Sequence, residues 1–271
     1  MWVEPSGGGS DSADMSEAPA SAIHADIVEE AERLLELAEA EGVPLRLLGG
    51  VAIRLRATGG LPETFARSYA DLDFVTAKGR SGPTQQFFRA AGYEPQVAFN
   101  ALNGQERLLF FDDDNGRQVD VFVGAFAMSH KIPVGDRLEL EPRTLPLAEL
   151  LLTKLQIAEL NEKDVRDGLA LLHGHGVSER DGDTINATRI AELCAGDWGL
   201  WRTMTGNVSV CRGYVDRYEL SEDEKARLRG GIDELLERIE QEPKSRAWKL
   251  RAKIGERKRW YDVPEEVAGG P

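Results

Sequence analysis

The chain has 271 residues, 41% hydrophobic and 30% charged, with a formal net charge of −14. Those values describe a soluble globular protein with room for one large domain or two modest ones. The acidity argues against a general nucleic-acid coat, and the longest apolar run, residues 119–128, is too short to span a bilayer.

Residues 1–20 are acidic and rich in Gly and Ser, without the basic start and apolar middle of a signal peptide, and read as a flexible tail. Over 23–41, Ile27, Ala31, Leu34, Leu35 and Ala38 form one helical stripe, ended by Gly42 and Pro44. Residues 45–50 form a short apolar strand running into Gly49 and Gly50. A short helix follows, closed by Gly59 and Gly60. The pattern then predicts a strand at 71–76, a helix at 82–93 and a strand at 95–100. Residues 106–124 read as two strands around a Gly/Asn/Asp turn, a hairpin. Beyond 144 the chain turns helical: two helices broken near Asn161, a loop at 174–184, and several more helices over 187–259. The fold class is therefore α+β, with a mixed-sheet core over 21–143, a helical part over 144–262 and a short tail at 263–271.

The chemistry concentrates in a few places. A strand ending in Gly49-Gly50 and entering a helix lets backbone N–H groups approach an anion, although such turns are also common packing devices. Asp71 and Asp73 share one strand face, where two carboxylates repel unless water or a cation offsets them. Asp120 sits in the apolar run "QVDVFVG" on the second hairpin strand, where a buried carboxylate needs a partner. With the hairpin beside the 71–76 strand, the three carboxylates converge and suit Mg²⁺ or Mn²⁺. The two cysteines, Cys194 and Cys211, and the four scattered histidines have no metal-ligand spacing, and a reduced, cytoplasmic setting follows.

The order strand–GG–helix, then DxD on a strand, then a lone Asp on a later strand, resembles the polymerase-beta-like nucleotidyltransferase superfamily. Gly49-Gly50-Val51-Ala52 is similar to the GG-x-A branch that holds abortive-infection-type toxins, as is Arg67 followed by Asp71-Leu72-Asp73-Phe74. Tyr69 stands where that branch often has threonine. The resemblance extends to Lys154, Lys163, Asp164 and Asp167, and it covers about residues 45–172. It implies a metal-dependent enzyme that moves an NMP unit from an NTP to an acceptor hydroxyl on RNA, protein or a small molecule. It further implies that Asp71, Asp73 and Asp120 hold the catalytic metal and that Gly49, Gly50, Arg67, Lys154 and Asp164 bind the nucleotide. Asp164 is then the orienting partner of Lys154 and Asp167 is structural; the toxin branch adds a paired antitoxin as partner. The competing class is a nucleotide- or partner-binding module that keeps the fold without catalysis, which the retained repulsive cluster argues against. Haloacid-dehalogenase-like phosphatases and metal-dependent glycosyltransferases also carry DxD. The first lacks its apolar strand before Asp71 here, and the second lacks a large preceding domain.

One segment stands apart. Residues 244–260 hold eight Lys/Arg and one Glu, a net +7, so the remainder carries −14 − 7 = −21. Two uses are open: an RNA-acceptor contact flanked by Trp248 and Trp260, or a helix docked against the acidic remainder with its tryptophans inward.

Overall fold

A computed structural model describes residues 22–57 and 60–263 of the chain. The expected tail at 1–20, Gly59 and all but Val263 of the expected C-terminal tail lie outside the described residues. Helix α1 (Ile27–Ala40) starts where the Asp26 carboxylate accepts from the amides of Val28 and Glu29. Strand β1 (Leu45–Leu48) runs straight into helix α2 (Gly49–Arg56), and β2 (Asp71–Thr76) matches the predicted strand. Helix α3 (Ser81–Ala90) leads to a two-residue strand β3 (Glu94–Pro95), and helix α4 spans Val97–Asn103. The hairpin is β4 (Arg107–Asp112) and β5 (Arg117–Val123).

The predicted strand at 95–100 is corrected by α4. Pro95 has no amide to continue a ladder. The Gln96 side chain caps the new helix at the Phe99 amide, and Asn100 uses both ends of its amide on the backbone of Leu109. A side chain thus satisfies the β4 backbone where a strand would have done so.

The strands form one mixed sheet in the order β1-β2-β5-β4-β3, with β2 parallel to β5 and the other neighbours antiparallel. Its register sets the site. Asp73 lies opposite Asp120, and Asp71 opposite Gln118. Alternation sends Leu72, Phe74, Val119 and Val121 to the other face, where Phe88 stacks on Phe110 at 4.6 Å and packs against Phe74 and Tyr93. One face is therefore an aromatic core, and the other carries the carboxylates.

After β5 come a small hairpin, β6 (Ala125–Ala127) and β7 (Lys131–Pro133), and then the helical half. At its entrance Leu47 donates to the Arg143 carbonyl and accepts from the Leu145 amide, which fastens the chain beside β1. Helix α5 (Leu147–Leu155) and helix α6 (Glu162–Gly174) are separated at Asn161, as the sequence predicts, and the Asn161 side chain caps α6 at the Asp164 amide. Two short parallel strands, β8 (Val177–Ser178) and β9 (Ile185–Asn186), interrupt the predicted loop. Helices α7 (Ala187–Gly196), α8 (Trp198–Tyr214), α9 (Glu222–Gln241) and α10 (Arg246–Ile254) complete the fold. Buried Glu149 of α5 joins them to the sheet side by pairing with both Arg137 and Arg189. The hydrophobic core runs unbroken from α1 through the sheet into α9. No helix among the described residues is long and apolar enough to cross a membrane.

Candidate active site

Helix α2 packs between the sheet and helices α5 and α6, so its first turn faces the open end of β2. It begins without a capping side chain, leaving the first-turn amides to another acceptor. Gly49 adopts φ +73°, and a Cβ there would lie 2.2 Å from Asp73 Oδ2. A Cβ on Gly50 would lie 2.2 Å from Arg67 Nη2 and 2.8 Å from the Tyr69 ring. Both glycines are required by close approach, and Gly49 by its backbone as well. Gly49→Ala is expected to push the Asp73 carboxylate off its position, and Gly50→Ala to displace Arg67. Circular-dichroism melting should show a lower Tm for both, and unchanged melting of either variant would refute the crowding argument.

Asp71 is exposed on β2, Asp73 half-buried and Asp120 on β5 buried. Burial, then the charges of Asp71 and Asp120, push the Asp73 carboxyl up to about 8, against the pull of Lys154 and Arg107. The register thus brings the three sequence-predicted carboxylates onto one face, and Asp73 bears the cost. Asp120 is differently placed. Its Oδ1 accepts from Arg107 Nε at 2.7 Å, and its Oδ2 accepts from Gln118 Nε2 at 2.7 Å. The Arg107 guanidinium lies 5.3 Å from the Phe122 ring centroid and 5.9 Å from that of Phe99 on α4.

Across the site, Lys154 of α5 extends its ammonium to Asp167 Oδ2 at 3.0 Å, with Asp164 Oδ1 at 3.9 Å. Burial works against the Lys154 charge, but Asp167, Asp73 and Asp164 outweigh it and hold the ammonium above its ordinary range. Arg67 grips Asp167 with both arms, Nε to Oδ1 at 2.9 Å and Nη2 to Oδ2 at 2.7 Å, and stacks over Tyr69 at 4.4 Å. Burial opposes ionisation of Asp167 too, yet Arg67 and Lys154 hold its carboxyl below the usual carboxylate range. Asp164 goes the other way: burial pushes its carboxyl up, and its Oδ2 is buried without a hydrogen-bond partner.

Among the described residues no group of three or more His, Cys, Asp or Glu is drawn together closely enough to hold an ion. Asp71, Asp73 and Asp120 share one face, with Asp120 engaged by Arg107 and Gln118 and Asp71 exposed beside Asp73. Two expectations change. Asp167, not Asp164, is the close partner of Lys154. Arg67 is committed to Asp167 rather than free for a ligand. Lys163, whose place the sequence pattern also singles out, is exposed and lines an open pocket with Arg67, Asn161 and Arg166.

No family model matches the chain, and no curated protein matches it. Among solved structures it is similar to the solution structure of the antibiotic-resistance factor ANT(2'')-Ia, with a TM-score of 0.37 and 15% identity over 53% of this chain and 81% of that one.

Beyond Gln118 a groove of about 730 Å³ opens along β3, the start of α4 and the hairpin turn. Phe111 and Val97 supply apolar walls, and Glu94 and Asp113 supply carboxylates. Arg117, its one cation, is turned inward to the carbonyls of His24 and Ala25 and to Asp112. Gln118 both lines the groove and donates to Asp120, so the groove lies next to the carboxylate face.

Proposed function

We propose that the protein is a nucleotidyltransferase that moves an NMP unit from an NTP to an acceptor hydroxyl, forming the new O–Pα bond as the Pα–O bond to the leaving pyrophosphate breaks, with a divalent cation. The observation that carries this reading is Asp73. Its carboxylate is pressed against Gly49 at the uncapped start of α2, beside Asp71, and it lacks enough positive charge to ionise freely. A site with an unmet demand for a cation next to a helix start that favours an anion suits a metal-bound triphosphate.

Asp71 and Asp73 would hold Mg²⁺ or Mn²⁺, which when bound polarises the attacking hydroxyl and neutralises phosphate charge. The first amides of α2, opened by Gly49 and Gly50, bind phosphate oxygens. Lys154 adds a fixed positive charge, held in place by Asp167. Arg67 acts through Asp167 and Tyr69 as a positioning residue. Asp120 keeps unused lone-pair directions on both oxygens despite its two partners, and it accepts the proton of an acceptor hydroxyl arriving through the groove beside Gln118.

Incubation with each α-labelled NTP, with and without Mg²⁺ or Mn²⁺, tests the reading. Divalent-dependent transfer of label to protein, RNA or a small hydroxyl compound is expected from at least one NTP. NTP binding without transfer to any of the three would replace it with a non-catalytic nucleotide-binding module, and absence of binding would remove the nucleotide altogether.

A further inference from the structure

Helix α10 resolves the two uses left open for residues 244–260 in an unexpected way. Its tryptophans do turn inward. Trp248 packs on Trp201 at 5.1 Å, Trp260 packs on Trp198 at 6.1 Å, and Trp260 Nε1 donates to Thr203 Oγ1. Arg251 joins them, stacked on Trp198 and donating to the carbonyls of Gly255 and Lys258. Lys244 caps α9 through the carbonyls of Ile239 and Glu240.

The other six cations do the opposite. Arg246, Lys249, Lys253, Arg257, Lys258 and Arg259 are all exposed. None of them pairs with a carboxylate among the described residues. Arginines elsewhere on the surface, such as Arg212 and Arg229, do find carboxylates, in a chain with 47 Asp and Glu. The segment's one acid, Glu256, is withdrawn to Arg202 of α8 at 2.6 Å. The positive charge is therefore left unmatched on a helix that is anchored firmly from behind.

The same face carries two large apolar side chains. Leu250 is 65% exposed and Ile254 45%. Stepping about 100° per residue around a helix, Lys249, Lys253 and Arg246 fall on one flank of the solvent face. Leu250, Ile254 and Ala247 fall on the other, with Trp248 behind. A phosphate backbone would use the first flank and ignore the second, and among the described residues no exposed tryptophan is left for a base to stack on. A ligand that uses both flanks must present anionic groups beside apolar ones. An apolar stripe of two large side chains, Leu250 and Ile254, matches the width of one helix rather than the plane of a bilayer.

We propose that α10 is a docking surface for an acidic amphipathic helix of a partner protein, with its carboxylates on Arg246, Lys249 and Lys253 and its apolar stripe across Leu250 and Ile254. The inference is independent of the transfer chemistry.

Fluorescence anisotropy with the full chain tests it, using as probe a synthetic Glu/Leu helix of about three heptads. The comparison ligands are an oligo-glutamate and a uridine oligonucleotide of the same charge, and phosphatidylserine vesicles. The Glu/Leu helix is expected to bind at least about tenfold more tightly than oligo-glutamate, and more weakly as salt rises. Leu250→Ser with Ile254→Ser, and separately Lys249→Glu with Lys253→Glu, should each weaken binding by about tenfold or more at unchanged Tm. Equal affinity for oligo-glutamate, tighter binding of the oligonucleotide or the vesicles, or no binding of the helix would each overturn the proposal. A loss in the charge-reversal pair alone, with the serine pair binding like wild type, would overturn it as well.

Discussion

Asp73→Asn is expected to lower nucleotidyl transfer by about a thousandfold or more while making the metal-free protein more stable. The two effects have one cause. Asp73 is held where a cation should be, and without one its carboxyl is pushed up from 3.8 to about 8 by burial and by Asp71 and Asp120. Below pH about 4 it is protonated in both the folded and unfolded chain, so it costs nothing there. As pH rises toward 8 the unfolded chain releases this proton while the folded one retains it, so wild-type stability falls across that window and levels off above it. Asn cannot ionise and shows no such fall. Thermal melts from pH 4 to 8 without metal should therefore start together and diverge, with the variant a few degrees higher at pH 8. Mg²⁺ at pH 8 should raise the wild-type Tm and leave the variant less affected. Parallel melts across the range would sink the electrostatic account, and near-wild-type transfer by the variant would sink the catalytic one.

Much of this arrangement is legible in the sequence because it depends on period. Alternation along β2 and β5 puts Asp71, Asp73 and Asp120 on one face and leaves Leu72, Phe74, Val119 and Val121 for the core, and any correct strand assignment carries that result with it. The break at Asn161 is local too, since its side chain caps the helix it begins. Helix α4 was hidden for the opposite reason. Residues 97–103 are apolar enough for a strand, and the deciding bonds run from Asn100 to Leu109 across the turn. Arg107 was within reach. Given a hairpin closed by Asp112 opposite Arg117, counting back places Leu109 opposite Asp120 and Arg107 diagonal to it, close enough for an arginine to reach. What spacing could not supply is the meeting of Arg67, Lys154 and Asp167, which belong to three elements brought together by packing. Two acids three residues apart on α6, Asp164 and Asp167, look alike in sequence, and only the positions of Arg67 and of Lys154 on α5 tell them apart.

That difference gives the second large effect. Asp167→Ala is expected to cost about 3–5 kcal/mol, because it strands two partly buried cations, Arg67 and Lys154, whose hydrogen bonds and charge balance it supplies. The lower end applies to the extent that water reaches the exposed parts of those two side chains. Asp164→Asn should cost little or even stabilise at neutral pH, since Asp164 is pushed toward its neutral form and leaves Oδ2 buried without a partner. Their pH dependence has opposite sign. The Asp167 carboxyl is held below its unfolded value, so its contribution is complete above about pH 4 and is lost as pH falls through the folded value. The Asp164 carboxyl is held above its unfolded value, so its penalty appears as pH rises past about 4. Urea unfolding followed by circular dichroism at pH 7, about pH 4 and about pH 2 reads both. Asp167→Ala should lose most of its deficit only below pH 4, and Asp164→Asn should gain on wild type between pH 4 and 7. Equal costs for the two substitutions at pH 7 would mean that Asp167 does not hold Lys154 and Arg67 in place. The fixed positive charge assigned to Lys154 beside the start of α2 would then lose its support.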